Sequence, residues 1–360
     1  MTHGKRGTDR FGTTGWRGAW CLHLGRSRSS ARRARSAYVA ISGASAGAIN
    51  AVVFADGLLS GGRTGAQKAL WAFWKAISRA AHGAQPANNP FYAFFLTTGG
   101  QLPRWLTSGP WAASMELWHK FADSLTRTFS PYQWNPFNIN PLVDIVRASV
   151  DFQRLNRTHE IGLFVSATCV QTGMLRIFRN SELSAEVVMA SACLPQLFQA
   201  VEIDGNTFWD GGYLGNPPLL PLIKESDPSD LLIIQLNPAS RKDTPRDAAD
   251  IAGRLNEITF NASLLQELKN LALLKRALSE EPAGHRFRPD MFNRVRDLNV
   301  HRIAADEAAY RRGPRSKLDP EWEFLMRLHG LGARAADAFL KQHWGELGKR
   351  STLELDTLIV

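Results

Sequence analysis

The 360-residue sequence predicts an α/β fold. Three observations carry this. A short β-type run, Ala37-Tyr-Val-Ala-Ile41, turns through Ser42-Gly43 into a small-residue helical stretch. Two further apolar runs, Ile161 to Val170 and Leu231 to Leu236, have the length and continuity of strands buried on both faces. Helical patterns lie between and after them. A chain of this length holds one large α/β domain or two ordinary ones, and 44% hydrophobic against 21% charged residues excludes wholesale disorder.

Taken in order, the first helix is expected from Ala46 to Leu59, stopping at Gly61-Gly62, because glycine loses the most backbone entropy in a helix. From about Thr64 to Trp134 the pattern is again helical and crowded with rings, holding six of the eleven tryptophans. Most of these rings at helical spacing read as core. Phe91-Tyr92-Ala93-Phe94-Phe95-Leu96 is denser than one helix face can bury, which suits an acyl-chain groove or a membrane surface. Pro131, Pro136 and Pro141 end the region, and Leu142 to Val150 reads as an amphipathic helix. The Ile161 strand turns at Thr172-Gly173 into Met174 to Phe178, a hairpin. Ser184 is placed to cap a helix reaching Ala192. Val201 to Ile203 pairs across Asp204-Gly205-Asn206 with Thr207 to Trp209. Beyond Pro245 the pattern is mostly helical.

The net charge of +10 suggests nucleic acid, but its distribution excludes a basic face for it. Residues 1–38 hold nine basic residues against the single acid Asp9, which is +8 of the total. No run approaches the length of a membrane span, and no apolar signal segment opens the chain, so a cytoplasmic location is expected. Cys21, Cys169 and Cys193 are odd in number and widely spaced, giving neither a disulfide framework nor a metal site. No cofactor is implied. Cys169 and Cys193 sit in apolar context and read as inert buried thiols.

Two motifs carry chemistry. Gly43-Ala44-Ser45-Ala46-Gly47 is a G-x-S-x-G between a predicted strand and a predicted helix. A nucleophilic serine needs a sharp turn, small flanking residues so that the backbone can crowd, and a helix N-terminus that favours developing negative charge. Gly43 and Gly47 supply the space, and a bulky side chain at Gly47 is expected to displace Ser45. The plainer alternative for such a run is a close-packed helix start. The second motif is Trp209-Asp210-Gly211-Gly212-Tyr213, followed by Leu214-Gly215-Asn216-Pro217-Pro218. Taken alone, Asp-Gly marks a turn. Together the motifs pair a serine with a carboxylate that can take its proton directly.

These segments resemble the bacterial patatin-like phospholipases. Gly43 to Ala51 is similar to that family's serine elbow, and Asp210-Gly211-Gly212 to its D-G-[AG] motif. The run Ala190-Ser-Ala-Cys-Leu-Pro195 and the segment from Val201 to Gly205 are similar as well, so the resemblance covers about Ala40 to Leu236. The helical tail around Arg254 to Asn261 looks like the usual extension. The resemblance implies a three-layer α/β/α sandwich, Ser45 as nucleophile, Asp210 as general base, and hydrolysis of lipid acyl esters without metal or cofactor. Substrate class would be phospholipid, lysophospholipid or simple carboxylic ester, with peripheral contact at the inner membrane face. Oligomeric state is left open. A Ser-Asp-His hydrolase would recruit His285, His301, His329 or His343, but that fold builds several strands before its elbow and only about 40 residues precede Ser45 here. The domain expectation is a basic segment at 1–38, a hydrolase domain at 39–240 with an aromatic-rich insertion at about 64–140, and a helical extension at 241–360.

One feature of the resemblance is missing. Relatives carry a G-G-G-x-x-G loop and a helix before the elbow, and the loop's N–H groups form the oxyanion hole; residues 13–38 contain no such run. Codons for Thr13 to Ala31 can nevertheless be chosen so that, read one base later, they spell Leu-Gln-Gly-Gly-Gly-Ala-His-Gly-Ala-Phe-Thr-Trp-Gly-Val-Leu-Asp-Arg-Leu-Leu. Trp16-Arg17 and Trp20-Cys21 force glycine whatever codons are used. The segment is expected to be the family's loop and helix read out of frame, with frame restored just before Ile41; the plainer alternative is a divergent basic tail. A catalytically impaired or purely scaffolding member is the alternative function that follows from the missing loop.

Overall fold

We describe a computed structural model, in residues 20–23, 39–83, 130–241, 243–282, 285–304 and 321–358. Its strands are β1 (Trp20–His23), β2 (Val39–Gly43), β3 (Ile161–Cys169), β4 (Leu175–Arg179), β5 (Val201–Ile203), β6 (Asn206–Asp210), β7 (Asp230–Gln235) and β8 (Asn299–Ala304). They form one mixed sheet in the order β5-β6-β3-β2-β1-β7-β8, with β4 added to β3. All nine residues of β3 are buried, as its unbroken apolar run requires.

The pairing along β3 positions the site. Residues 164 and 165 pair with both β2 and β4, and residues 167 and 168 with both β4 and β6. A strand has only two edges, so β2 and β6 share the edge opposite β4. Since β2 runs parallel to β3 and β6 antiparallel, their C-terminal ends approach each other along that edge. Gly43 lies opposite Val165 and Asp210 opposite Ala167. Two residues of strand separate them, roughly 7 Å at the usual rise.

Alternation along the strands divides the core into two. Ile41, Leu163, Val165 and Ala167 pack with α1 (Ala46–Gly83), α3 (Pro141–Ser149), α4 (Phe152–Arg157) and α5 (Ala185–Ser191), chiefly through Val52, Phe73, Val146 and Val188, and the short α2 (Pro131–Trp134) precedes α3. Ala40 and Phe164 point the other way, onto α6 (Leu220–Ser226), α7 (Ala248–Ser279) and α8 (Met291–Asp297), through Leu222, Leu264, Leu268 and Val295. The architecture is the three-layer α/β/α sandwich. A last helix, α9 (Trp322–His343), adds Ala336 and Phe339 to a small cluster beside β7 and β8.

The helix α1 is broken where its sequence places Gly61-Gly62, with φ −154° and +60°. Its second half folds back on the first so closely that a Cβ on Gly57 would lie 2.8 Å from Gly65 O. The β5–β6 turn has Asp204 and Gly205 at φ 51° and 75°, as a tight hairpin needs. Ser184 caps α5 by accepting from Val187 N–H.

Two elements differ from expectation. The region beyond Pro245 is helical in α7, α8 and α9, but it also contributes β8 to the same sheet, parallel to β7. The strand hides in sequence because Asn299, His301 and Arg302 interrupt its apolar residues, and His301 is nonetheless wholly buried. The N-terminal region, which has no strand signal, supplies β1, and this strand runs antiparallel to both its neighbours. The dense aromatic run Phe91 to Leu96 lies outside the described residues. Among the described residues no helix is long and apolar enough to cross a membrane.

Candidate active site

Ser45 sits between the end of β2 and the first turn of α1, half-buried, at φ 55°. That left-handed setting costs a non-glycine residue roughly 1 kcal/mol and persists only where its surroundings impose it. Close packing under the turn is one such constraint. A Cβ on Gly43 would lie 2.6 Å from the carbonyl carbon of Gly47 and 2.8 Å from Ala48 N, so the backbone doubles back with no room for a side chain. The sequence motif gives Gly43 and Gly47 as the space for this turn, and the two are pressed together, Gly43 against the Gly47 carbonyl.

Asp210 ends β6 and is wholly buried. Its backbone is fixed on both sides: its N–H donates to Cys193 O at 2.8 Å, and its carbonyl accepts from Thr168 Oγ1 at 2.9 Å. Its side chain accepts from Gly212 N–H at 2.7 Å through Oδ1. Gly211 and Gly212 make this turn possible. A Cβ on Gly211 would collide with the carbonyl of Ser166, and one on Gly212 would lie 2.8 Å from the Phe260 ring.

Burial pushes the Asp210 carboxyl up to about 7, while interactions with the Ser45 side chain and the Gly212 N–H oppose the rise. Oδ2, the second oxygen, has no fully formed hydrogen bond among the described residues. These two facts fit one geometry: the Ser45 hydroxyl is near enough to favour the carboxylate, yet is not aligned into a formed bond. Catalytic hydrogen bonds are commonly loose before substrate binds. A buried carboxylate raised toward neutrality beside a serine hydroxyl has the chemistry to take that hydroxyl's proton.

Three further neighbours surround the pair, none of which the sequence alone gave a role in the site. Ser191, wholly buried at the end of α5, receives the Ser45 N–H on both its carbonyl oxygen and Oγ, each at 3.0 Å. Tyr213 follows the aspartate turn, its ring 5.3 Å from that of Phe260, and burial pushes its phenol up despite a hydrogen bond with Gln196. Cys193, whose carbonyl holds Asp210, has a thiol pushed up to about 12 by burial and by the charge of Asp210, so it stays protonated.

The candidate histidines are engaged elsewhere. His301 lies between Asp230 Oδ1 and Thr352 Oγ1, both at 3.0 Å. Gly43 and Ile234 are both opposite Trp20, so Asp230 lies four residues back along β7, about 13 Å toward the other end of the sheet. His285 packs on Phe287, His329 on Trp71, and His343 bonds Glu346 at 2.9 Å. Among the described residues no group of three His, Cys, Asp or Glu side chains is placed to hold a metal.

In comparison with known families, residues 11–223 match the one described as patatin-like phospholipase. The match begins upstream of Ala40, where the sequence motifs alone had placed the start of the resemblance. No curated protein matches the chain.

Proposed function

Because the chain belongs to the patatin-like phospholipase family, a family of lipid acyl hydrolases, we propose that it cleaves lipid acyl esters through a Ser45–Asp210 dyad. The observation that carries this is the convergence of β2 and β6 on one edge of β3, which sets the serine beside the unpartnered Oδ2 of a buried carboxylate. Phospholipids, lysophospholipids and simple carboxylic esters are the substrate classes, and no metal or cofactor takes part.

In the acylation step the proton on Ser45 Oγ passes to Asp210 Oδ2 as Oγ bonds to the acyl carbon. The tetrahedral intermediate then collapses, and the departing alcohol takes the proton from Asp210. Water attacks the acyl-serine next, giving its proton to Asp210 and releasing the fatty acid, while Ser45 recovers its hydrogen. Burial serves this cycle by keeping the carboxyl near neutrality, where it is a strong enough base and is still ionised at physiological pH.

Hydrolysis of p-nitrophenyl butyrate and of a phospholipid panel tests the reading. Ser45→Ala and Asp210→Asn should each lower turnover by about 10,000-fold or more, because the two act as one unit. Near-normal turnover in Asp210→Asn with none in Ser45→Ala would return the base to a histidine. A fluorophosphonate probe should label Ser45 alone. The second reading, an impaired or scaffolding member, rests on the missing glycine-rich loop and on the Ser45 N–H being committed to Ser191 rather than to an oxyanion. It predicts a folded chain that binds lipid and turns over little.

A further inference from the structure

The stretch from Ser191 to Cys193 touches both motifs through their backbones. Ser191 receives the Ser45 N–H on its carbonyl and hydroxyl oxygens, and Cys193 O receives the Asp210 N–H. These contacts bridge 146 residues in the first case. They hold the two halves of the dyad to one short segment of main chain at the end of α5, itself packed in the core through Val187 and Val188. Removing the Ser191 hydroxyl leaves the carbonyl bond in place, so the hydroxyl is not needed merely to satisfy the Ser45 N–H. It adds a second acceptor, off the axis of the first, and two acceptors fix the direction of an N–H where one leaves it free to swing.

The direction matters at this residue. Ser45 is held at φ 55°, and rotation of its peptide plane moves Oγ relative to Asp210 Oδ2, the oxygen without a partner. We propose that Ser191 is a positioning residue for the nucleophile: its Oγ locks the Ser45 amide and so sets the serine hydroxyl toward Asp210. The same bond takes the Ser45 N–H out of the set of oxyanion donors, leaving that task to other N–H groups. The proposal rests on the dyad reading of the site.

The test compares Ser191→Ala with the parent in three measurements: hydrogen exchange at the Ser45 amide, kcat and KM for p-nitrophenyl butyrate, and the rate of Ser45 labelling by a fluorophosphonate. Exchange should quicken, and kcat and labelling should fall by about 10- to 100-fold, the size expected for a misplaced reacting group. KM should stay within about twofold and the pH midpoint of turnover should not move, since Asp210 is untouched. Ser191→Thr and Ser191→Val, alike in shape, separate the hydroxyl from packing: Thr should protect the Ser45 amide and Val should not. An Ala variant that folds with parental amide protection overturns the proposal whatever its turnover, as does a Val variant that matches Thr. Failure of the dyad itself reads differently, as full turnover in Ser45→Ala.

Discussion

Burial of the Asp210 carboxyl costs the fold stability. Its carboxyl is wholly buried and its Oδ2 unpartnered, so the ionised form is disfavoured in the fold and its pKa rises to about 7. The folded state therefore binds a proton more tightly than the unfolded chain between about 4 and 7, and stability falls as pH rises through that window. Asp210→Asn removes the penalty. The variant should melt above the parent at pH 8, by an amount on the order of a few kcal/mol, and the gap should close as pH falls toward 4; a gap independent of pH would show that the carboxyl is not strained by burial. Turnover should follow the same group in the opposite sense, rising with pH through about 7 as the base ionises. At this scale the sequence was informative where chemistry dictates a motif. Ser45 and Asp210 stand in short patterns whose glycines are required by close backbone approach, at Gly43 and Gly211. Ser191 stands in the Ala190 to Pro195 run that resembles the family, but no role could be read for it there, because its partner is 146 residues away.

Among the elements, β8 shows how a buried polar network can mask a strand. His301 would be costly in a sheet without partners, but its ring meets Asp230 Oδ1 on β7 and Thr352 Oγ1 at 3.0 Å each. Asp230 also accepts from Gly348 N–H at 2.7 Å and from Ser229 Oγ at 2.8 Å. Burial pushes the Asp230 carboxyl up, yet the hydrogen bonds from His301, Gly348 and Ser229 outweigh it and leave the group below its usual value. This cluster ties β7, β8 and residues 348–352 together at the end of the sheet away from Ser45. A depressed carboxyl stabilises the fold above its unfolded pKa, and that contribution is lost as pH falls through the lower folded value. The parent should thus lose stability steeply below about pH 4, whereas Asp230→Asn should start lower and show a flatter acid limb in thermal melts from pH 7 to 3. His301→Ala should cost about 2 kcal/mol or more, by taking one hydrogen-bond partner from buried Asp230 and leaving a cavity in the sheet, with the Ser45 labelling rate unchanged. Period-based reading finds β2, β3 and β7 because their apolar runs are continuous; β8 is specified by tertiary partners instead.

Across the whole sheet, the strand directions single out one segment. β3, β2, β7 and β8 run the same way, and β1 lies reversed in the central slot between β2 and β7. A strand that enters such a slot ahead of β2 is ordinarily parallel to it, joined by a helical crossover of a dozen residues or more. The written sequence of residues 1–38 offers no such unit. Read one base later it does: Asp9 to Gly12 can spell Ile-Val-Leu-Ala, an apolar strand, which runs on through Leu-Gln-Gly-Gly-Gly at Thr13 into a helix-forming segment that ends before β2. A shift that is later reversed would keep the residue count, and a family match that reaches up to residue 11 is compatible with it. It also accounts for the arginines, since +8 of the chain's +10 lies before Val39. We predict that sequencing the coding DNA upstream of the Ser45 codon will reveal a one-base shift upstream of Thr13 and its reversal just before Ile41. Restoring the frame supplies the N–H groups that the oxyanion needs, and since losing even one such donor costs about 100- to 1,000-fold in turnover, the restored enzyme should exceed the written chain by at least that factor. An uninterrupted frame, together with the arginine-rich tryptic peptides of residues 17–35 in the expressed protein, would assign the basic segment to the protein and leave β1 as its own reversed strand.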